Sequence, residues 1–134
     1  VLARCVRACA LFDLAVTACL AFPPSARWLL EILFLGDAAL GLGTPRVDFQ
    51  PLHWLFAHLT GVLGVLWAVA RLRAPTLELA LLDVGGRLAV AALILRATAA
   101  EGMTPLLHGF VAAELAGAAL QYWAVRRARP EPAP

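Results

Sequence analysis

Long apolar runs alternate along the chain with short clusters of proline, glycine and arginine. Four runs approach the roughly 20 residues that a membrane-crossing helix needs: 4–22, closed by Pro23-Pro24, then 51–71, 76–95 and 105–126. A fifth, Ala26 to Leu42, is shorter, carries Glu31 and Asp37, and runs out into Gly41, Gly43 and Pro45. Its length, its acids and Trp28 predict an interfacial or re-entrant helix, not a crossing. The segment 129–134 is proline-rich and predicted to be disordered. The pattern therefore predicts one all-α domain over 1–128, an integral membrane four-helix bundle with an additional interfacial or re-entrant helix in its first connection.

Polar positions inside the apolar runs complicate this picture. Leu79 to Leu95 places Asp83 and Arg87 four residues apart, and three other runs hold Asp13, His58 and Glu114 near their centres. A charge at the centre of a membrane helix costs about 2.5 to 3.5 kcal/mol on insertion scales, so these groups should face one another and form one polar core. Arginine cannot shed its proton, so Arg87 needs acids: Asp83 on its own helix face, Asp13 and Glu114 across the bundle. One arginine cannot neutralise three carboxylates, and at least one acid is expected to carry a proton. Such a core points to ion, proton or ligand handling; fixing helix register is the structural alternative.

Composition strengthens the membrane expectation. Of 134 residues, 62% are hydrophobic and only 15% charged, against roughly 25% charged in soluble domains; the mean hydropathy is +0.81. The formal charge of +2 rests on arginine without lysine, and the arginines lie at segment ends without interleaved exposed aromatics, a pattern that excludes nucleic acid as a partner. Arg4, Arg7, Arg71, Arg73, Arg126, Arg127 and Arg129 would flank one side of a four-span arrangement, and Arg27, Arg46 and Arg96 the other. Both termini are accordingly expected in the cytoplasm of a bacterial inner membrane. The first run has the look of a signal peptide, but Asp13 in its middle argues for a retained span.

Smaller signals fill in the interior. Cys5, Cys9, Asp13 and Thr17 form an i, i+4 ladder on one face, read as small packing residues and not as a redox or metal motif. Small-residue ladders at Gly109-Ala113-Gly117, Ala57-Gly61 and Gly64-Ala68 predict close helix contacts. The two halves also look alike: Leu59-Thr60-Gly61 with Trp67-Ala68-Val69 and Arg71 matches Leu115-Ala116-Gly117 with Trp123-Ala124-Val125 and Arg127 at a constant offset. His53 and His108 each follow a proline at the outer start of a span, the placement of a haem-ligand pair or of helix-end groups. There is no phosphate loop, nucleophile elbow or Cys-x-x-Cys, so no catalytic residue is assigned.

Asp83-Val84-Gly85-Gly86-Arg87-Leu88, the following apolar run, the Gly102 to Pro105 turn, and Glu114-Leu115 with Gly117 resemble small bacterial four-span proteins described as DoxX-like. The resemblance covers the last three spans and implies an association with quinone-linked oxidoreductase complexes. Three functions are expected, in order. The first is a non-enzymatic accessory subunit of a larger membrane assembly, respiratory or photosynthetic. The second is a binder or carrier of quinone, lipid or proton at Asp13, His58, Asp83, Arg87 and Glu114. The third is an oxidoreductase subunit linked to quinone or holding haem through His53 and His108. The expected partners are the lipid bilayer and other membrane subunits.

Overall fold

The computed structural model describes residues 1–128, which are all-helical without strands; the tail expected to be disordered, 129–134, lies outside the described residues. Five α-helices follow in order: α1 (Leu2–Ala21), α2 (Pro23–Ala39), α3 (Pro51–Arg73), α4 (Leu77–Ala100) and α5 (His108–Ala128), the last preceded by a 3-10 turn, Pro105–Leu107. Pro23-Pro24 ends α1 and also starts α2, since proline at the first helical positions has no N–H to lose. The two helices meet at 103°. α4 runs past the expected Leu95 to Ala100 because Ala97, Ala99 and Ala100 are good helix formers. It stops at Gly102, whose φ of 71° suits glycine, and the Met103 N–H returns to the Ala97 carbonyl at 3.2 Å.

α1 packs along α3, and α4 along α5, with α1 and α5 joining the two pairs. Glycine permits the first pairing: a Cβ on Gly61 would stand 2.2 Å from the Ala21 nitrogen, and one on Gly64 2.4 Å from Thr17 Cγ2. Gly117 leaves room for a side chain instead, since its Cβ would lie 2.9 Å from Arg87 Nη1. Gly109 departs from the expected ladder, because a Cβ there meets nothing. α3 and α4, although joined by a short turn, are not a packed pair, and polar side chains bridge the space between them.

At one end of the bundle Val6, Ala80 and Val125 form a small apolar core with Leu2, Leu77 and Leu81, which brings the start of α1, the start of α4 and the end of α5 together. At the other end α2 lies across the helix termini. Asp37 is its anchor: Thr44 donates to it from N–H at 3.0 Å and from Oγ1 at 2.6 Å. The hydroxyl of Thr104 in the α4–α5 turn, followed by that of Thr44, holds the Asp37 carboxyl below its usual range. Arg27 lies over the Trp54 ring, and Arg46 pairs with Glu31, tying the α2–α3 loop down.

Among the described residues one helix, Pro51–Arg73, is long and apolar enough to cross a membrane, and α1 with α2 qualifies as a bent pair. The other helices contain Asp13, Asp83 with Arg87, and Glu114 with Gln121, which lower their hydropathy or raise their charge.

Candidate functional site

The ionisable residues inside the bundle meet at its centre. Asp83 is the hub. Its Oδ2 accepts from Arg71 Nη1 at 2.6 Å, from Arg87 Nε at 2.9 Å and from Gln121 Nε2, while Oδ1 accepts from Trp67 Nε1 at 2.7 Å. Asp13 Oδ2 accepts from Arg71 Nη2 at 2.6 Å and from Arg87 Nη2. Arg87 Nη1 donates to Glu114 Oε2 at 2.9 Å. Each arginine thus spans two or three carboxylates from different helices, a use of the planar guanidinium that an ammonium could not copy.

Helix direction explains how these side chains reach one another. Cα–Cβ bonds tilt towards a helix N-terminus, and α3 runs from the α2 end of the bundle towards the chain ends. Arg71, two residues before the end of α3, is therefore carried back towards the middle, where it is fully buried. This corrects its reading as a flanking arginine. The count of one arginine against three acids changes with it: two guanidiniums, Arg71 and Arg87, face Asp13, Asp83 and Glu114, leaving one surplus negative charge when all are ionised.

Trp67, which the sequence marks only through the internal repeat, and Gln121, which it does not mark, also belong to the network. The signal for Trp67 is its position four residues before Arg71, which puts the guanidinium over its ring at 5.5 Å. The matching pair in the second half, Trp123 and Arg127, repeats the stacking at 4.5 Å, but Arg127 is exposed. Gln121 lies two turns after Glu114 on α5 and is fully buried. Two polar atoms of the network, Arg71 Nε and Gln121 Oε1, lack a partner.

His58 stands apart from this group. Its Nδ1 lies 2.8 Å from the Leu20 carbonyl and its ring stacks on Trp54. The last carbonyls of α1 have no intrahelical donor, and the imidazole meets that need. His53 Nδ1 accepts the Gln50 N–H at 3.0 Å as part of a capping box. His108 Nε2 lies 3.1 Å from Thr98 Oγ1. His53 is thus engaged at its own helix start and His108 with the end of α4, and neither lines the central cavity. Among the described residues no group of three His, Cys, Asp or Glu could hold a metal ion.

A cleft of about 250 Å³ opens above the ion network and takes lining residues from all four long helices. Its walls include Phe12, Val16, Trp67, Val90 and Phe110, and its floor is the charged cluster. Gly86 faces the cavity, where a Cβ would meet nothing within 4 Å. No protein-family model, curated protein or solved structure matches this chain. Its chemistry is therefore read from its own residues. They offer a cleft lined by aromatic side chains, a network of ion pairs and one carboxylate, Glu114, with a single hydrogen-bond partner.

Proposed function

We propose that this chain is a small multi-pass protein of the bacterial cytoplasmic membrane whose central cleft binds a small ligand from the lipid phase. In this reading α1, α3, α4 and α5 cross, α2 lies at the outer interface, and the free ends of α1 and α5 face the cytoplasm. The observation that carries it is the inverted distribution of polarity around the cleft. Arg71 and Gln121 are fully buried, whereas Leu63, Leu82 and Leu93 are more than 60% exposed. Water would reverse that arrangement, because soluble folds seldom bury unsolvated charge or present large continuous apolar faces.

Other features agree with a bilayer. Only 17% of the most apolar stretch of α3 is buried, which supports a lipid-facing helix over a core helix of a soluble fold. The four long helices have 20 to 24 residues, which at 1.5 Å per residue gives about 30 to 36 Å, enough for a hydrocarbon core. With Arg71 assigned to the interior, Arg4, Arg7, Arg73, Arg126 and Arg127 still outnumber Arg27, Arg46 and Arg96 at the other end.

A second reading, an accessory subunit of a larger respiratory or photosynthetic assembly, is favoured by Gly85. It is exposed on α4 with open space at its Cβ position, beside exposed Leu82 and Leu88, so another helix could approach closely there. Native mass spectrometry from mild detergent separates the two. A bound small molecule on the isolated chain is the expected result; a stoichiometric second polypeptide with an empty cleft would favour the subunit.

A further inference from the structure

We infer that the ligand class taken by the central cleft is a lipophilic cation of quaternary-ammonium type, with Glu114 as its counter-charge. The inference rests on the reading of the cleft as a ligand site, and three observations carry it further. First, of the charged groups that line the cleft, two acids are the more accessible: the side chains of Asp13 and Glu114 are 17% and 19% exposed, those of Arg71 and Arg87 0% and 4%. Second, two guanidiniums against three carboxylates leave a surplus of one negative charge. Third, Phe12 and Phe110 line the cleft beside Trp67, whose ring already holds the Arg71 guanidinium; aromatic rings attract a desolvated cation to their faces.

Charge conservation then dictates an exchange. An uncompensated carboxylate in an apolar cavity is costly, so the empty cleft holds a proton. Asp83, with donors from Trp67, Arg71, Arg87 and Gln121, and Asp13, with two guanidinium donors, are already satisfied. Glu114, with one donor, is where the proton resides. Binding releases it: neutral Glu114 and an incoming cation give a carboxylate–cation pair and one proton, with no bond to carbon made or broken. The groups facing this carboxyl are Asp13 from α1, Arg71 from α3, and Asp83 and Arg87 from α4.

The test uses the full chain in lipid nanodiscs and three probes that share a phenyl ring: benzyltrimethylammonium, benzyl alcohol and benzenesulfonate. Calorimetry in two buffers of different ionisation enthalpy should show the cation bound at least tenfold more tightly than the other two, with about one proton released. Its affinity should rise about tenfold per pH unit while Glu114 is protonated in the empty protein. Glu114→Gln should abolish proton release and lower cation affinity at least tenfold. Gly86→Leu, whose Cβ would meet no atom within 4 Å and whose side chain would occupy the cleft, should abolish binding while the protein still unfolds cooperatively. Cation binding without proton release, or retained in full by Glu114→Gln, overturns the inference. Binding of benzyl alcohol or benzenesulfonate in preference, lost in Gly86→Leu, overturns it while leaving the cleft a ligand site. If no probe binds, or Gly86→Leu leaves binding unchanged, the ligand-site reading falls as well.

Discussion

At the scale of single residues, the network is held by arginines that cannot be discharged. Removing one partner of a buried ion pair costs about 3 to 5 kcal/mol, so Arg87→Leu, at a site 4% exposed, should destabilise the bundle strongly in thermal or denaturant unfolding. Arg87→Lys should recover only part of the loss, since an ammonium cannot reach Asp13, Asp83 and Glu114 together. The double variants decide which acid is ionised. If Glu114 holds the proton, Arg87→Leu with Asp13→Leu leaves Arg71 paired with Asp83 and should recover stability, whereas Arg87→Leu with Glu114→Leu should not. Recovery by the Glu114 double variant would mean that Glu114 is charged in the empty protein. Asp13, Asp83, Arg87 and Glu114 are legible in the sequence because each interrupts an apolar run. Arg71 is not, because an arginine near a helix end looks the same whether it points outward or back. Only the direction of α3, and Trp67 one turn earlier, distinguish the two. His58 is misleading for a related reason: residue depth along a run does not reveal that the end of α1 leaves a carbonyl for it.

At the scale of elements, close contact and open space divide the glycines. Gly61→Leu should separate α1 from α3 and prevent folding, because its Cβ meets backbone; Gly85→Ala meets nothing and should stabilise α4 by about 1 kcal/mol through helix propensity. Thermal unfolding of the pair checks both signs. The α2 strap has its own pH signature. Its Asp37 carboxyl is held below the usual range by Thr104 and Thr44. A depressed folded value contributes stability above the unfolded value, and that contribution is lost as pH falls through the folded one. The strap should therefore loosen on acidification, and Thr104→Val should move the loosening to higher pH, read by proteolysis of the α2–α3 loop. That the first connection holds a separate, shorter helix is legible in the sequence. Its direction is not, since the 103° turn depends on how two prolines divide between an ending and a beginning helix.

At the scale of the whole molecule, the proposed four-crossing arrangement predicts sidedness. With the native cysteines replaced, Asp48→Cys in the α2–α3 loop should react with an impermeant maleimide on intact cells. Glu78→Cys at the start of α4 should react only after permeabilisation. Labelling of both from one side would exclude the four-crossing arrangement. The internal sequence likeness has a structural counterpart in the two packed pairs, α1 with α3 and α4 with α5. It does not extend to the charges: Arg71 is buried where its match Arg127 is exposed.

If the chain crosses a membrane as proposed, the division of the ion network between those two pairs bears on its insertion. Asp13 and Arg71, 2.6 Å apart, both belong to the first pair, and Asp83 and Arg87, at 2.9 Å, both belong to α4. In the four-crossing arrangement proposed above, each half would enter lipid with its arginine already paired, and with Glu114 protonated no bare ion would be exposed before the halves assemble. Residues 1–74 and 75–134, made as separate polypeptides, should each insert and then copurify. Arg71→Leu should lower the membrane yield of the first fragment even when the second is absent.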